Sequence, residues 1–424
     1  MDIHVDVVVV GAGGGGAVLG LALARKGIRA LVLERAPGPP HGIRGEILQP
    51  NGQSILDELG LLDHLPDDAV RPVRYFHFRQ TGGGRLCSID YGELPPPYNR
   101  ALVTLPHAVH RTVLGALKKH NPGGVWYGAS FVNVLKRDGN IIGVEAEVEG
   151  KPLRIASRLV VGADGLFSKV RDVLGIPTTL RRYAESYLVA ILDCPERLHE
   201  AQYFLGKEEI LGLFPTAGDT VYLVYMIKSE SMDAIRAAGV EALQKKWSAI
   251  YPDLSATFQG FRNWKQAAYM PAGQARAATW VANGAVLLGD AAHGMNPHAS
   301  QGRMQAMVDA MSLADVVSSC LAEDDFSETR LRVYETQRRP SVDMLQRLAD
   351  EEVFFWNTGN PLIVWLRNRV FSTIDRNRRL KYQVLTAKAG LRETSPFVGI
   401  LDRLQAAGFV PDPCANQPPP HVRS

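Results

Sequence analysis

The residues with the clearest chemical purpose form a glycine-rich turn near the start of the chain. Gly11, Gly13 and Gly16 have the spacing G-x-G-x-x-G, directly after an apolar run at residues 5–10. In such a turn the first glycine permits a tight bend, the second lets the backbone approach a pyrophosphate, and the third lets helix and strand pack closely. A helix that begins here offers free N–H groups and the positive end of its dipole to phosphates. The pattern predicts a dinucleotide-binding turn.

The segments around this turn are those that a dinucleotide site requires. Residues 5–10 are typical of a buried parallel strand, residues 17–26 of a helix, and residues 28–33 of a second strand. Glu34 follows the second strand, where a carboxylate can accept hydrogen bonds from a ribose hydroxyl. The alternative is a glycine-rich turn without a ligand, which the combination of strand, helix and acid disfavours. This part of the sequence does not distinguish FAD from NAD.

Two later motifs also place an acid at the end of a short apolar strand. Residues 158–165 end in Asp164-Gly165, and residues 284–293 include Gly289-Asp290. A helix-forming stretch at residues 304–321 follows the second motif. Three ordered motifs are far more specific than one G-x-G-x-x-G alone.

In these motifs the chain resembles the single-component (group A) FAD-dependent monooxygenases of the para-hydroxybenzoate hydroxylase type. The resemblance covers roughly the first 350 residues. It implies FAD as the cofactor and NAD(P)H as a transient reductant without a Rossmann domain of its own. It also implies that oxygen passes from O2, through a flavin C4a-hydroperoxide, to an electron-rich aromatic or secondary-metabolite substrate by hydroxylation or epoxidation.

The resemblance implies roles for individual residues. Asp290 would bind the ribitol chain of FAD, Asp164 would lie near the pyrophosphate, and Arg44 would lie beside the flavin or its phosphates. Arg44 and His298 are candidate catalytic groups, with a structural hydrogen-bonding role as the alternative for His298; for His293 the structural role is favoured. The predicted cofactor-binding residues are Gly11, Gly13, Gly14, Gly16, Glu34, Arg35, Arg44, Arg111, Asp164, Gly289, Asp290, Pro297, Gln301 and Gly302.

One segment departs from the family pattern. Where the family has a glycine, an apolar residue and an asparagine, this chain has Ser300, Arg303 and Met304, although Pro297 and Gln301 are retained. Serine lacks the freedom of glycine at positive φ, and Arg303 brings a cation near the predicted flavin. Backbone N–H groups at the helix start survive these changes, so we expect stabilisation of the reduced flavin anion to persist. The changes bear on the position and dynamics of the flavin, and much less on FAD binding itself.

The predicted fold class is α/β. A Rossmann-type FAD-binding domain (1–72, 98–177 and 271–325) is interleaved with a mixed or antiparallel β-sheet substrate domain (73–97 and 178–270). A helical C-terminal region (326–410) and a disordered tail (411–424) follow. The sheet is predicted from short strand-like runs with turns between them, including runs at 70–90. Its candidate substrate-binding residues, each with ordinary sheet packing as the alternative, are Tyr203, Phe214, Tyr222 and Tyr225.

The composition and the net charge limit the kinds of partner that we expect for this chain. The formal net charge of the 424 residues is +3, too small for a nucleic-acid surface. Four separated cysteines fit reduced thiols and give no disulfide framework or metal cluster. We expect a cytoplasmic monomer or homodimer that acts on a small molecule with O2 and without a metal. The basic amphipathic stretch after residue 361 permits peripheral membrane contact, but a domain cap or a dimer contact is favoured.

Three other functions share parts of the pattern. A flavin-dependent halogenase has the same fold, but its Trp-x-Trp-x-Ile-Pro motif is absent and the tryptophans occur singly. An FAD-dependent reductase of an unsaturated or prenyl substrate would not insert oxygen. A non-enzymatic FAD-bound protein would hold the cofactor without turnover.

Overall fold

A computed structural model of the chain describes residues 3–39 and 46–392. Within these two ranges the chain forms twenty β-strands and twelve α-helices, numbered along the chain. The strands are β1 Ile3–His4, β2 Val7–Val10, β3 Ala30–Glu34, β4 Glu46–Leu48, β5 Val70–Val73, β6 Tyr75–Gln80, β7 Arg85–Asp90, β8 Ala101–Thr104, β9 Val125–Tyr127, β10 Ala129–Arg137, β11 Asn140–Val148, β12 Lys151–Ala156, β13 Leu159–Gly162, β14 Thr178–Asp193, β15 Ala201–Leu205, β16 Ile210–Thr216, β17 Thr220–Lys228, β18 Ala267–Ala277, β19 Val281–Ala282 and β20 Ala285–Leu287. The helices are α1 Gly14–Arg25, α2 Pro50–Glu58, α3 Ala108–His120, α4 Lys169–Val173, α5 Met232–Ala238, α6 Val240–Ile250, α7 Ser255–Gln259, α8 Asp290–His293, α9 Gly302–Glu323, α10 Glu328–Trp356, α11 Pro361–Arg376 and α12 Arg378–Lys388.

The first sheet carries the predicted dinucleotide motif. Its strand order is β19-β20-β13-β2-β3-β9, and every neighbouring pair except β19 and β20 is parallel. The central strand β2 consists of four buried valines, as expected for a parallel strand covered on both faces. Helices α1, α3 and α9 and a four-stranded sheet, β1-β12-β11-β10, pack around it in one apolar core.

The second large sheet is mixed rather than wholly antiparallel. Its order is β18-β14-β17-β16-β15-β6-β7, and β15 pairs with β6 in parallel. The stretch predicted to add strands to this sheet contributes β6 and β7. Strand β5, from the same stretch, instead pairs with β8 in a three-stranded sheet that also contains β4.

The two faces of this mixed sheet have different neighbours. One face packs against α6, α7 and the segment after α7 through Trp247, Phe258 and Phe261. The other face presents an aromatic cluster that includes Phe76 and Phe214. Because side chains alternate along each strand, one strand serves both faces.

Three helices complete the described chain. Helix α10 runs from the core of the first sheet, where Leu331 is buried, to the aromatic cluster of the second, where Trp356 is buried. Helices α11 and α12 pack on β7. The predicted tail at 411–424 lies outside the described residues. None of the helices in the described ranges has the length and apolar character needed to cross a membrane.

Candidate functional site

The three predicted motifs meet at the carboxyl edge of the parallel sheet. Strands β2, β13 and β20 are neighbours, with Val10, Gly162 and Leu287 in register at their ends. Each strand leads into its own motif, so the turns that follow lie side by side. In open α/β sheets, ligands bind in the crevice outside the carboxyl ends of the strands. The sheet topology therefore brings together segments that are far apart in sequence.

In the glycine-rich turn, one glycine is required for close packing and another borders open space where a ligand could lie. A Cβ atom at Gly16 would stand 1.9 Å from the carbonyl oxygen of Gly11, which itself has a φ of +106°. A Cβ atom at Gly13 would meet no heavy atom within 4 Å. Gly16 is therefore required by close packing, whereas Gly13 faces open space at the N-terminus of α1. This cradle fits a diphosphate, because the first turn of α1 contains no acidic residue.

Glu34 is held in place beside this turn. Its carboxylate accepts hydrogen bonds from the backbone N–H groups of Ala12 and Ala36, each at 2.9 Å. It borders a cavity of about 380 Å³ that His110 and Tyr127 also line. The position at the end of β3 is the one expected for an acid that binds a ribose.

A larger cavity of about 510 Å³ extends from the glycine turn to the mixed sheet. The two cavities share Gly13, Gly14, Glu46 and Arg303, so they adjoin at the start of α1. One cavity thus lies at the predicted ribose acid, and the other reaches the aromatic face of the sheet. An extended cofactor with a substrate at one end fits this arrangement.

Asp164, the acid of the central motif, is held by hydrogen bonds within its own loop. The carboxylate of Asp164 accepts hydrogen bonds from Ser168 Oγ at 2.5 Å and from the backbone N–H of Val170 at 3.1 Å. The buried Arg171 donates to the carbonyl oxygens of Ala291 at 2.8 Å and Leu166 at 3.0 Å. Asp164 and Arg171 therefore fix the position of the central loop against the third motif. Ala163 and Gly165 line the larger cavity, whereas Asp164 does not.

The segment that departs from the family pattern lines the larger cavity. Ser300 has φ 52° and ψ 32°, a left-handed conformation that favours glycine. Arg303 Nε lies 2.5 Å from Glu46 Oε1, and the arginine side chain lies over Gly14. Burial raises the pKa of Glu46, and the neighbouring Arg303 opposes this shift. The additional cation is thus paired with a carboxylate from β4 at the junction of the two cavities.

The remaining predicted cofactor residues fall into different places. Gly289, Asp290, Pro297 and Gly302 line the larger cavity with Gly13, Gly14 and Gly16. Gln301 is buried behind it, where its amide donates to the Lys388 carbonyl at 2.7 Å. Arg35 and Arg111 are exposed and line neither cavity. Arg44 lies outside the described residues.

Three of the four predicted substrate residues lie at the cavity, and one does not. Tyr203, Phe214 and Tyr222 line it. Tyr225 lies on the opposite face of the sheet, where its ring is 5.8 Å from that of Trp247 and its hydroxyl donates to Glu209 at 2.7 Å. The prediction for Tyr225 was wrong because Tyr225 is three residues after Tyr222 on β17. Residues at an odd interval on one strand face opposite sides of the sheet.

His298 lies in a buried polar group at the cavity wall. The Tyr187 hydroxyl donates to Asn296 Oδ1 at 2.7 Å and lies 3.1 Å from His298 Nδ1. Since the tyrosine proton is used by Asn296, Nδ1 of His298 is the donor to the tyrosine oxygen. His298 Nε2 and Asn296 Nδ2 have no hydrogen-bond partner in the described part of the chain. Both atoms are buried, and His298, unlike Asn296, lines the larger cavity.

Two charged side chains that no sequence motif indicated lie behind this wall. Lys388 from α12 pairs with Glu352 from α10 at 2.8 Å and lies 4.8 Å from the centre of the Trp356 ring. Burial lowers the pKa of His298 to about 3, and the Lys388 cation contributes to the same shift. The imidazole is therefore neutral at physiological pH.

His293 has the structural role that the sequence favoured. Its Nε2 lies 2.5 Å from Asp309 Oδ2, and Arg338 Nε donates to Asp309 Oδ1 at 2.8 Å. The same carboxylate accepts the backbone N–H of Gly289 at 3.2 Å. All three side chains are buried. The network fixes the turn of the third motif to α9 and α10.

Lowering the pH from 7 to 5 is expected to destabilise the wild-type protein by about 2 kcal/mol more than a His298→Gln variant. The folded pKa of about 3 lies below the ordinary value of 6.5, so the unfolded chain binds the extra proton between these values. The contribution is fully present above the ordinary value and is lost as the pH falls toward the folded value. Urea unfolding at both pH values measures it.

The exposed residue His64 provides the control for this measurement. A His64→Gln variant is expected to retain the pH dependence of the wild type. If His298→Gln also retained it in full, His298 would not be a buried neutral group.

Comparison with known proteins decides the family. Residues 4–349 match the model of the FAD binding domain family. The chain belongs to this family. It is 31% identical over 351 residues to the 6-methylpretetramide 4-monooxygenase of Streptomyces rimosus. This match covers 81% of this chain and 82% of that protein. It is 26% identical over 407 residues to the ubiquinone hydroxylase UbiL of Rhodospirillum rubrum, covering 92% of this chain and 91% of that protein.

A solved structure shows the same fold. The p-nitrophenol 4-monooxygenase PnpA from Pseudomonas putida has a TM-score of 0.79 at 19% identity, covering 92% of this chain and 99% of that chain. The predictions of the fold class, of FAD as the cofactor and of an FAD-dependent monooxygenase are confirmed. The relatives support oxygen insertion and not the alternative of a prenyl-chain reductase.

Proposed function

We propose that this monooxygenase hydroxylates a neutral, electron-rich phenolic ring system, with NAD(P)H as reductant and O2 as the source of oxygen. The observation that carries the proposal is the chemistry of the larger cavity where it meets the mixed sheet. Side chains there are aromatic, aliphatic or thioether groups: Tyr187, Tyr203, Ile210, Phe214, Tyr222, Val224, Met226 and Met270.

The charge of this cavity favours a neutral substrate. Among the described lining residues, Arg303 is the single Lys or Arg, and it lies beside Gly14, at the cofactor turn. A carboxylate on the substrate would be buried against the sheet without a counter-charge, at a cost of several kcal/mol. The relative from Streptomyces rimosus is named for 6-methylpretetramide, which supports a substrate of related ring chemistry.

The chain positions the cofactor through the three motifs. When bound, FAD supplies the reduction of O2 and the transfer of one oxygen atom to the ring. Gly13 and the N-terminus of α1 would hold the diphosphate, Glu34 the ribose, and Asp290 the ribitol chain. The parts of the chain predicted as the FAD-binding domain, 1–72, 98–177 and 271–325, would contribute these groups, and 73–97 and 178–270 the substrate wall.

His298 is proposed to orient the substrate rather than to accept a proton from it. With a pKa of about 3, its imidazole is too weak a base to take the proton of a phenol, whose pKa is about 10. Its Nε2 can still accept a hydrogen bond from a substrate hydroxyl, since no group in the described chain occupies it. The hydrogen bond from Nδ1 to Tyr187 keeps the acceptor nitrogen in place.

Turnover of the purified FAD-bound protein under 18O2 tests the proposal. We expect neutral phenolic ring systems to stimulate NAD(P)H oxidation and to give a product with one 18O atom. Phe214→Ala is expected to raise KM by about ten-fold or more, because a buried aromatic contact of about 1.5 to 3 kcal/mol is lost.

Tyr225→Phe is the matched control, since Tyr225 lies on the far face of the same sheet. It is expected to leave KM unchanged. Preference for a carboxylated ring such as 4-hydroxybenzoate would contradict the neutral substrate. Stoichiometric H2O2 without labelled product for every ring tested would contradict oxygen transfer itself.

A further inference from the structure

Helix α11 presents an apolar stripe to the exterior of the protein. Leu362, Trp365 and Leu366 are exposed by 71%, 55% and 36%. These positions follow the i, i+3, i+4 spacing of one helix face, and Arg369 continues it. The guanidinium of Arg369 lies 5.4 Å from the centre of the Trp365 ring. The opposite face of α11 is buried and includes Phe371 and Ile374.

Positive charge is concentrated around this stripe. Residues 361–388 contain seven Lys or Arg and one Asp. Arg367 and Lys388 are buried and Lys381 pairs with Asp375, so the exposed positive charge comes from four arginines, Arg369 among them. Arg376, Arg378 and Arg379 are exposed where α11 ends and α12 begins. The stripe and these cations together form the α11 surface, defined as Leu362, Trp365, Leu366, Arg369, Arg376, Arg378 and Arg379.

We propose that the α11 surface docks on a lipid bilayer that contains anionic lipids. An interfacial helix combines one apolar face, often with Trp and Leu, with flanking Lys and Arg. Basic residues are attracted to anionic headgroups, whereas apolar side chains enter the headgroup boundary. The charge complementarity favours this partner over a second copy of the chain, because two copies would place the same cations against each other.

The inner face of α11 connects this surface to the substrate cavity. The Phe371 ring lies 5.9 Å from Trp356, and Trp356 lies 5.6 Å from Tyr203 and 5.4 Å from His298. Tyr203 and His298 line the cavity. A docked α11 would therefore lie one aromatic layer from the cavity. This arrangement suits a substrate that partitions into the bilayer.

Sedimentation of the full-length FAD-bound protein with vesicles tests the proposal. We expect binding to vesicles of phosphatidylglycerol and phosphatidylcholine, weaker binding at high salt, and no binding to phosphatidylcholine alone. Arg378→Gln with Arg379→Gln should weaken binding by about five-fold per arginine. Leu362→Ser with Trp365→Ser and Leu366→Ser should weaken it by about ten-fold or more. Bound flavin absorbance and the thermal midpoint report that each variant is folded.

Removal of an equal charge elsewhere is the control. Lys136→Gln with Arg137→Gln changes two adjacent exposed cations on β10 and should leave vesicle binding intact. Equal loss in this control would overturn the proposal in favour of non-specific charge attraction. Failure of the wild type to bind anionic vesicles would also overturn it. Self-association in solution that the serine variant abolishes, without vesicle binding, would assign the surface to a second copy.

Discussion

Gly16→Ala is expected to destabilise the protein by about 3 kcal/mol or more and to abolish FAD retention. The new Cβ would stand 1.9 Å from the carbonyl oxygen of Gly11 and 3.3 Å from the Cβ of Ala163. Gly11 cannot move aside easily, because its N–H donates to the Leu33 carbonyl at 2.7 Å and its φ is +106°. The clash therefore separates α1 from β2 and from the central motif. Urea unfolding of the apoprotein and FAD titration measure both effects.

Gly13→Ala tests the contribution of the same turn to cofactor binding without a packing clash. Gly13 has φ −64° and ψ −171°, which alanine adopts, and nothing lies within 4 Å of its Cβ position. We expect apoprotein stability within about 0.5 kcal/mol of wild type and FAD affinity reduced about ten-fold or more, because a methyl group enters the proposed diphosphate cradle.

A glycine in α3 gives the matched control for both substitutions. Gly115 also has no heavy atom within 4 Å of its Cβ position, and it borders neither cavity. Gly115→Ala should leave FAD affinity unchanged. Unchanged FAD affinity in Gly13→Ala would show that the open side of this turn does not face the cofactor.

The cofactor half of the predicted site rests on motifs that are each local in the sequence. A strand, a turn and a following helix or acid are adjacent in the chain at Gly11, at Asp164 and at Asp290. Parallel strands then place their carboxyl ends at one edge without further information. The roles of the individual residues remain proposals.

The substrate wall is harder to predict, because it depends on which face of a strand a residue occupies. Tyr222 and Tyr225 were given the same role, although an odd interval puts them on opposite faces. The alternation of strand residues was the signal that could have excluded Tyr225. Tyr187 and Met270, which do line the cavity, carry no local motif.

Contacts between distant segments could not be predicted from local patterns. Glu46 meets Arg303, and Glu352 meets Lys388, only because the fold brings β4 to α9 and α12 to α10. At Ser300, in contrast, comparison with the family pattern indicated strain, and the residue does adopt a left-handed conformation. A departure from a motif is visible in sequence, whereas a new long-range pair is not.

Asp309→Asn is expected to destabilise the folded protein by about 3 to 5 kcal/mol at neutral pH, the range found when one partner of a buried ion pair is removed. Burial alone would raise the pKa of Asp309, but His293 and Arg338 outweigh it and hold the pKa below its usual value. The stabilisation is therefore present above the unfolded pKa of the carboxyl group and is lost as the pH falls through the lower, folded value. Asparagine has the same shape, yet it leaves Arg338 buried without a counter-charge.

Asp315→Asn is the matched control on the same helix. Asp315 is 74% exposed and pairs with Lys26 at the surface, so its loss should cost less than about 1 kcal/mol. Urea unfolding at pH 7 compares the two variants. A cost at position 309 as small as that at 315 would mean that Asp309 is not the buried anion that holds Arg338 and His293. Because Asp309 also accepts the N–H of Gly289, weaker FAD binding should accompany the loss of stability at 309 and not at 315.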